Sequence, residues 1–359
     1  MSRDRRLSIA ACALASLVVA LAGGPSHAQP AAGVCDLETT ERIVAIGDVH
    51  GAYASFVRIL QAAKLIDDRN RWTGERAILV QLGDVLDRGP DSRRSLDLLR
   101  RLEDEAARAG GRVFALLGNH EVMRLTGDWR YVSRAEVAAF RDANSERRRD
   151  DLHDIVAKAQ ARAARAAGRM FDASAFRNEF MSAVPLGVVE MQQAFGVDGD
   201  YGRWLRGLNT TVKINDIVFV HGGFTPTVAR MGCAAINDTL RLAIAGAPTT
   251  VDTPASSLTA DPDGPLWYRG LADQPEAAIE PDLVAALDAL QARAIVVGHT
   301  TSLGKIVTRF NGRVIQIDTG MLGGEFFPGG VASALEIHGS AVAAIYTGRR
   351  DSLTPLGPR

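Results

Sequence analysis

The stretch Gln81-Leu-Gly-Asp-Val-Leu-Asp-Arg-Gly89 packs two carboxylates, Asp84 and Asp87, and the guanidinium of Arg88 into five residues. Like charges so close repel unless a cation or a hydrogen-bond donor lies between them. The apolar run Ala77 to Val80 before it reads as a buried strand. Gly89-Pro90 after it breaks the chain, and Asp91-Ser92 can cap a following helix. The three charged side chains therefore sit on a loop at the carboxyl end of a strand, where open α/β sheets bind their ligands.

The same placement recurs along the chain. Of seven histidines, His27, His153 and His338 fall in the N-terminal segment, a helix and a strand, and have no assigned role. His50, His120, His221 and His299 each follow a predicted strand and each adjoin Gly or Asn. A lone histidine is more often a packed residue than a ligand. Four at strand ends, with Asp48, Asp84 and Asn119 similarly placed, point to metal binding. Asp48-Val-His50 puts a carboxylate and an imidazole on one side of an extended loop, and a carboxylate such as Asp84 can bridge two ions. Oxygen and imidazole ligands without thiolate suit Mn, Fe or Zn. Two such ions about 3.5–4 Å apart generate a hydroxide and clamp the oxygens of an in-line displacement. Neighbouring glycines let the backbone turn beside them.

Gly47-Asp-Val-His-Gly51, Gly83-Asp-Val-Leu-Asp-Arg-Gly89, Gly118-Asn-His-Glu121, His221-Gly-Gly223 and Gly298-His299 resemble, in order, the signatures of the calcineurin-like metallophosphoesterases. The second and third point to the phosphoprotein phosphatase branch. Pro265-Leu-Trp-Tyr-Arg-Gly270 is similar to a segment of its bacterial Shewanella-like phosphatases. The motifs span residues 43–320. The resemblance implies a two-sheet β-sandwich flanked by helices. It implies that Asp48, His50 and Asp84 hold one metal, and Asp84, Asn119, His221 and His299 the other. Arg88 and Arg269 would hold the phosphate, and His120 would protonate the leaving oxygen, oriented by Asp87. Glu121, next to His120, is read as a supporting acid and not a ligand. The metal pair is manganese by preference, with iron or zinc as alternatives. Leu86 replaces the usual Val, and Leu117 stands where eukaryotic members carry Arg, so their substrate habits are not carried over.

The implied activity is hydrolysis of phosphomonoesters by attack of a metal-bridging hydroxide, without a phosphoenzyme. Phosphoproteins or phosphopeptides are the expected substrates, on Ser/Thr or Tyr. A nucleotide or dinucleoside-polyphosphate hydrolase on the same site is the alternative. A catalytically silent metal-binding module is the reading from another class; it would be favoured by loss of His120, Asp87, Arg88 or Arg269, and all four are present.

These residues need elements to position them. Strands are expected at 42–46, 77–82, 112–117, 216–220 and 294–297, each delivering one motif. Helices 53–63 and 92–109 separate the first three, which implies parallel pairing and an α/β fold. His120 is expected in an extended segment. From about 125 to 208 an Ala/Arg-rich helical insertion replaces the strand pattern, with helices over 133–168 and 172–195 and a capping box at Ser133 and Glu136. Residues 245–264 read as a loop, and 281–292 as a helix with Pro281 in its first turn. Strands 305–310, 313–317, 333–338 and 341–347 close the chain, the first two joined at Asn311-Gly312 as a hairpin.

The chain has 359 residues and net charge −1, so bulk electrostatics gives no reason to expect nucleic acid as a partner. Arg3, Arg5 and Arg6, the apolar run Leu7 to Ala22 and Ser26-His27-Ala28 read as a signal peptide over residues 1–28. A periplasmic or secreted protein starting near Gln29, with no lasting membrane anchor, is expected. The metallophosphoesterase domain would run over 29–348 and a mobile tail over 349–359. Cys35 and Cys233 remain after cleavage and read equally as a disulfide or as two buried thiols.

Overall fold

The structure is a computed structural model that describes residues 34–246 and 258–356. Two six-stranded sheets face each other. The first contains β2 (Ile43–Ile46), β3 (Ile78–Gln81), β4 (Arg112–Ala115), β10 (Ser333–His338), β11 (Ala341–Tyr346) and β12 (Arg349–Ser352), in the order β12-β11-β10-β2-β3-β4. The second contains β1 (Asp36–Leu37), β5 (Thr211–Ile214), β6 (Ile217–Val220), β7 (Ala294–Val297), β8 (Val307–Arg309) and β9 (Val314–Gln316), in the order β1-β5-β6-β7-β9-β8.

Alternation along each strand explains the layers. Ile43, Ala45, Ile78 and Val80 of the first sheet meet Ile217, Phe219, Ala294 and Val296 of the second in one apolar cluster between the sheets. Their neighbours Val44, Ile46, Leu79, Val218, Val220, Ile295 and Val297 point the other way, into a cluster shared with the helices. Strands covered on both faces read as unbroken apolar runs, which is how they appear in the sequence.

Helices α1 (Tyr53–Ala62) and α2 (Ser92–Arg108) make the crossovers between the parallel strands β2, β3 and β4. Helix α3 (Asn119–Leu125) leads into the insertion, which holds α4 (Arg134–Ala138), α5 (Ser145–Ala166), α6 (Ala173–Ala183), α7 (Val188–Phe195) and α8 (Asp200–Gly207). Then follow α9 (Pro226–Ala229), α10 (Gly232–Ile244), α11 (Gly270–Asp273) and α12 (Glu276–Leu290). The parallel set β6, β7 and β9 in the second sheet brings its carboxyl ends to the same rim as those of β2, β3 and β4.

Several expectations are corrected. Asn119 opens helix α3, so His120 sits in a first helical turn and not in an extended segment. The helix expected over 133–168 is two, because Asp142 and Asn144 close a turn between α4 and α5; Gly187, with φ 100°, likewise separates α6 from α7. Pro281 lies inside α12, which begins five residues earlier at Glu276. Strand β5 was not anticipated; it pairs antiparallel with β6 across Asn215-Asp216, both left-handed at φ 51° and 62°. The Asn311-Gly312 turn does join antiparallel strands, through a wider loop in which Phe310 is left-handed too. The tail expected to be mobile from residue 349 begins with a strand, Arg349–Ser352, which pairs with β11, and residues 357–359 lie outside the described residues. Cys35 and Cys233 form a disulfide, with Cα atoms 6.0 Å apart. The signal segment 1–28 and most of the loop 245–264 lie outside the described residues. Among the described residues no helix is long and apolar enough to cross a membrane.

Candidate active site

The backbone turns sharply where each strand ends. His50, Asp84, Asp87, Arg88 and His299 all have positive φ, between 47° and 70°. Non-glycine residues occupy that region at a cost and persist when surrounding contacts hold them. Gly83 and Gly118 permit this crowding: a Cβ on Gly83 would lie 2.2 Å from the Gly118 nitrogen, and one on Gly118 would lie 2.2 Å from Asp84 Oδ1. Glu121 clamps the two loops together, accepting from the backbone nitrogens of Asp84 (2.7 Å), Val85 (2.9 Å), Leu86 (3.2 Å) and Gly118 (2.9 Å). That is the supporting role expected of it.

Two histidines are turned inward by backbone carbonyls. His50 Nδ1 lies 2.9 Å from the Leu86 oxygen, and His221 Nδ1 lies 2.9 Å from the Leu82 oxygen. A carbonyl can only accept, so each Nδ1 carries a proton and each Nε2 faces the site. His50 Nε2 is 3.7 Å from both Asp48 Oδ2 and Asp84 Oδ2. His221 Nε2 is 3.3 Å from Asp84 Oδ2 and 2.9 Å from Asn119 Oδ1. His299 Nε2 is buried with no hydrogen-bond partner among the described residues. Asp48 Oδ1 accepts from the His299 backbone nitrogen at 3.0 Å, tying the two sheets together at the rim.

This donor set fits a pair of divalent ions. His50, Asp84 and His120 form one compact group, and Asp84, His221 and His299 another, with Asp84 common to both. Burial, aided by His120, pulls His50 down to about 3. Burial, aided by His221 and Arg269, pulls His299 down to about 2. Both are held in the neutral, ligating form. Asp48 is pushed well up by burial and by the nearby Asp318 carboxylate. Asp84 is buried too, but His221 and His120 overcome that and hold it well below the usual range. The same carboxylate, with Asp48, raises His221 to about 9 against its burial. A cation between these acids removes the repulsion.

His120 differs from the others. Its Nδ1 lies 2.6 Å from Asp87 Oδ2, and its Nε2 is 3.4 Å from Arg88 Nη2. Proximity alone groups it with the ligands, at 3.7 Å from Asp84 Oδ2. A guanidinium against Nε2 disfavours a metal ion there. Burial lowers the ring's proton affinity, but Asp84 and Asp87 outweigh it and the net direction is upward. Arg88 itself lies over the rings of Tyr131, at 5.5 Å, and Phe327, at 5.2 Å. Arg269 donates to the His299 carbonyl (2.9 Å) and to Thr300 Oγ1 (3.1 Å), which places it beside the second group.

Every residue singled out in the sequence is thus brought to one rim. Others were missed. Asp318 is buried behind Asp48 and accepts from Thr301 Oγ1 and the Gly320 nitrogen; it follows β9 as the other acids follow their strands, a signal that was available. Tyr131, Phe327, Arg124 and Glu136 had no comparable signal.

Residues 41–302 match the calcineurin-like phosphoesterase family. Shewanella-like protein phosphatase 2 of Arabidopsis thaliana is 30% identical over 316 residues, covering 86% of this chain and 78% of that protein. Shewanella-like protein phosphatase 1 of Plasmodium berghei is 30% identical over 288 residues, covering 78% and 67%. Among solved structures, the cold-active protein-tyrosine phosphatase of a psychrophilic Shewanella superposes with a TM-score of 0.65 at 27% identity, over 89% of this chain and 82% of that one. The chain belongs to the calcineurin-like phosphoesterases and is a metal-dependent phosphatase.

Proposed function

We propose that this phosphatase acts on phosphorylated proteins or peptides, with phosphotyrosine the preferred ester. The observation that carries this reading is the pair of aromatic side chains, Tyr131 and Phe327, flanking Arg88. An arginine fork matches phosphate oxygens, and ring walls beside it suit an aryl ester better than a small alkyl one. The similar Shewanella protein, a tyrosine phosphatase by its description, supports the same choice.

In this reading Asp48, His50 and Asp84 hold one ion, and Asp84, Asn119, His221 and His299 the other. Manganese is the proposed metal, among the ions that suit oxygen and imidazole donors without thiolate, with iron or zinc as alternatives. When bound, the ions supply charge neutralisation and a nucleophile at neutral pH. Arg88 and Arg269 orient the phosphate. His120 carries the proton for the departing oxygen on Nε2, while Asp87 fixes the ring through Nδ1 and favours its charged form. The Cys35–Cys233 bridge supports export directed by residues 1–28 to the periplasm, because disulfides persist in oxidising compartments.

The test is turnover of the manganese-loaded protein on a phosphotyrosine peptide, a phosphoserine or phosphothreonine peptide, and a dinucleoside polyphosphate. The phosphotyrosine peptide is expected to have the highest kcat/KM, and chelation should abolish turnover of all three. Preference for the dinucleotide would overturn the assignment, and preference for phosphoserine would overturn the aromatic-wall argument.

A further inference from the structure

Asn119 and His120 open α3, and the helices of the insertion that follows reach this proposed acid through one buried chain of contacts. Asp87 divides its carboxylate: Oδ2 meets His120 Nδ1 at 2.6 Å, and Oδ1 accepts from Nη2 of Arg124. The same Nη2 donates to Glu136 Oε1 at 3.0 Å. The side chains of Asp87, Arg124 and Glu136 are at most 1% exposed. The guanidinium also lies against Trp129 (5.4 Å) and Phe195 (4.9 Å). Arg124 is on α3, Trp129 on the connector after it, Glu136 on α4 and Phe195 at the end of α7. Separate parts of the insertion therefore grip a single side chain. Arg124 Nε and Nη1 have no hydrogen-bond partner among the described residues, so one nitrogen carries the whole polar link.

Charge balance gives this link a direction. With Glu136 ionised, Arg124 is neutralised from behind and Asp87 keeps its charge for the imidazole. With Glu136 neutral, Arg124 draws on Asp87 alone and the hold on His120 Nδ1 weakens. Interactions among buried charges are strong enough for this competition to matter.

We infer that Arg124 is a positioning residue for the Asp87–His120 pair, and that Glu136 governs its effect, so that the insertion sets the efficiency of leaving-group protonation. The inference rests on His120 being the acid in the proposed function.

Glu136→Gln keeps the shape and removes the charge. On an alkyl phosphate, which needs its leaving oxygen protonated, kcat should fall about 10-fold. On p-nitrophenyl phosphate, whose leaving group needs little help, kcat should stay within about 2-fold. KM for both and the bound metal content should match the parent, and Glu136→Asp should restore part of the lost alkyl turnover. On a His120→Ala background, Glu136→Gln should have no further effect on the alkyl substrate, as expected of residues acting as one unit. Equal losses on both substrates, no loss on either, or a loss that persists without His120 would overturn the inference. Should the Gln variant fail to fold, Arg124→Lys, a buried cation of different reach, reads the same ratio of alkyl to aryl turnover. If His120→Ala alone leaves alkyl turnover intact, the acid assignment itself has failed, an outcome distinct from failure of the Glu136 link.

Discussion

Arg88 shows how much a single side chain depends on its surroundings. Its backbone is left-handed at φ 66°, and its guanidinium lies over Tyr131 and Phe327 and close to His120. Replacing it by Ala should raise the inhibition constant of inorganic phosphate and lower kcat/KM, each by about 10–100-fold, the range for losing hydrogen bonds to a charged group. Inhibition titrations with phosphate check this, and an unchanged constant would remove Arg88 from phosphate binding. Lys should not rescue, because an ammonium neither forks nor stacks. Asp84, Arg88 and His221 were legible in the sequence because charged and titratable groups at strand ends need a reason to be there. Arg124 and Glu136 were not legible. Arg124 lies just before the Ala/Arg-rich region and Glu136 read as a capping-box partner of Ser133; both types are usually solvated, and nothing local marks these two as buried.

Between elements, α2 and α8 meet through polar contacts, with Arg100 of α2 over the rings of Tyr201 (5.4 Å) and Trp204 (5.9 Å). Tyr201 donates to Asp97, and Trp204 Nε1 donates to Glu103 Oε2 at 2.9 Å. Burial raises Glu103 from 4.5 to about 7, with Asp104 adding to the effect and the Trp204 bond opposing it. The folded state therefore holds a proton that the unfolded chain gives up near 4.5. This contribution to stability is intact below pH 4.5 and is lost as pH rises toward 7. Glu103→Gln stays neutral and keeps an acceptor for Trp204. It should be more stable than the parent at pH 8, by about 1–3 kcal/mol, and equal to it near pH 4. Denaturant unfolding at the two pH values decides this, and equal midpoints at pH 8 would refute it. Elements of this kind were readable where periodicity was clean, as in β2, β3, β7 and α2. β5 escaped because Lys213 interrupts its apolar run and it is joined to β6 by Asn-Asp instead of Asn-Gly. Pro281 misplaced the start of α12, since proline is tolerated inside a helix when neighbouring packing holds it, and Leu283 and Leu287 are buried there.

At the scale of the whole molecule, the site exists only where two sheets converge. Asp48, His50, Asp84 and Asn119 follow strands of the first sheet, and His221 and His299 follow strands of the second. The Cys35–Cys233 bridge closes a sequence separation of 198 residues, worth about 5 kcal/mol in the loop-entropy model. On the proposed export, the mature protein should begin near Gln29 and carry this bond. Reduction should lower its thermal midpoint by about 5–10 °C. N-terminal sequencing and paired melts check both points; a retained Met1 or an unmoved midpoint would count against them. Facing sheets were expected from the resemblance, but the pairing of β1 with β5 could not be read from two residues.

The strand order also bears on how the chain is made. β2 has β3 on one side, soon after it in sequence, and β10 on the other, near the far end of the chain. During synthesis the first three parallel strands can assemble early, yet the apolar edge Ile43–Ile46 stays open until Ser333–His338 emerges and pairs with it. An open apolar edge is where wrong partners add, so the nascent protein is most prone to aggregate just before its last hairpin docks. Asp48 and His50 hang from that edge, and a ribosome stalled short of β10 would release a chain that holds most of the chemistry-bearing residues and cannot keep them in place.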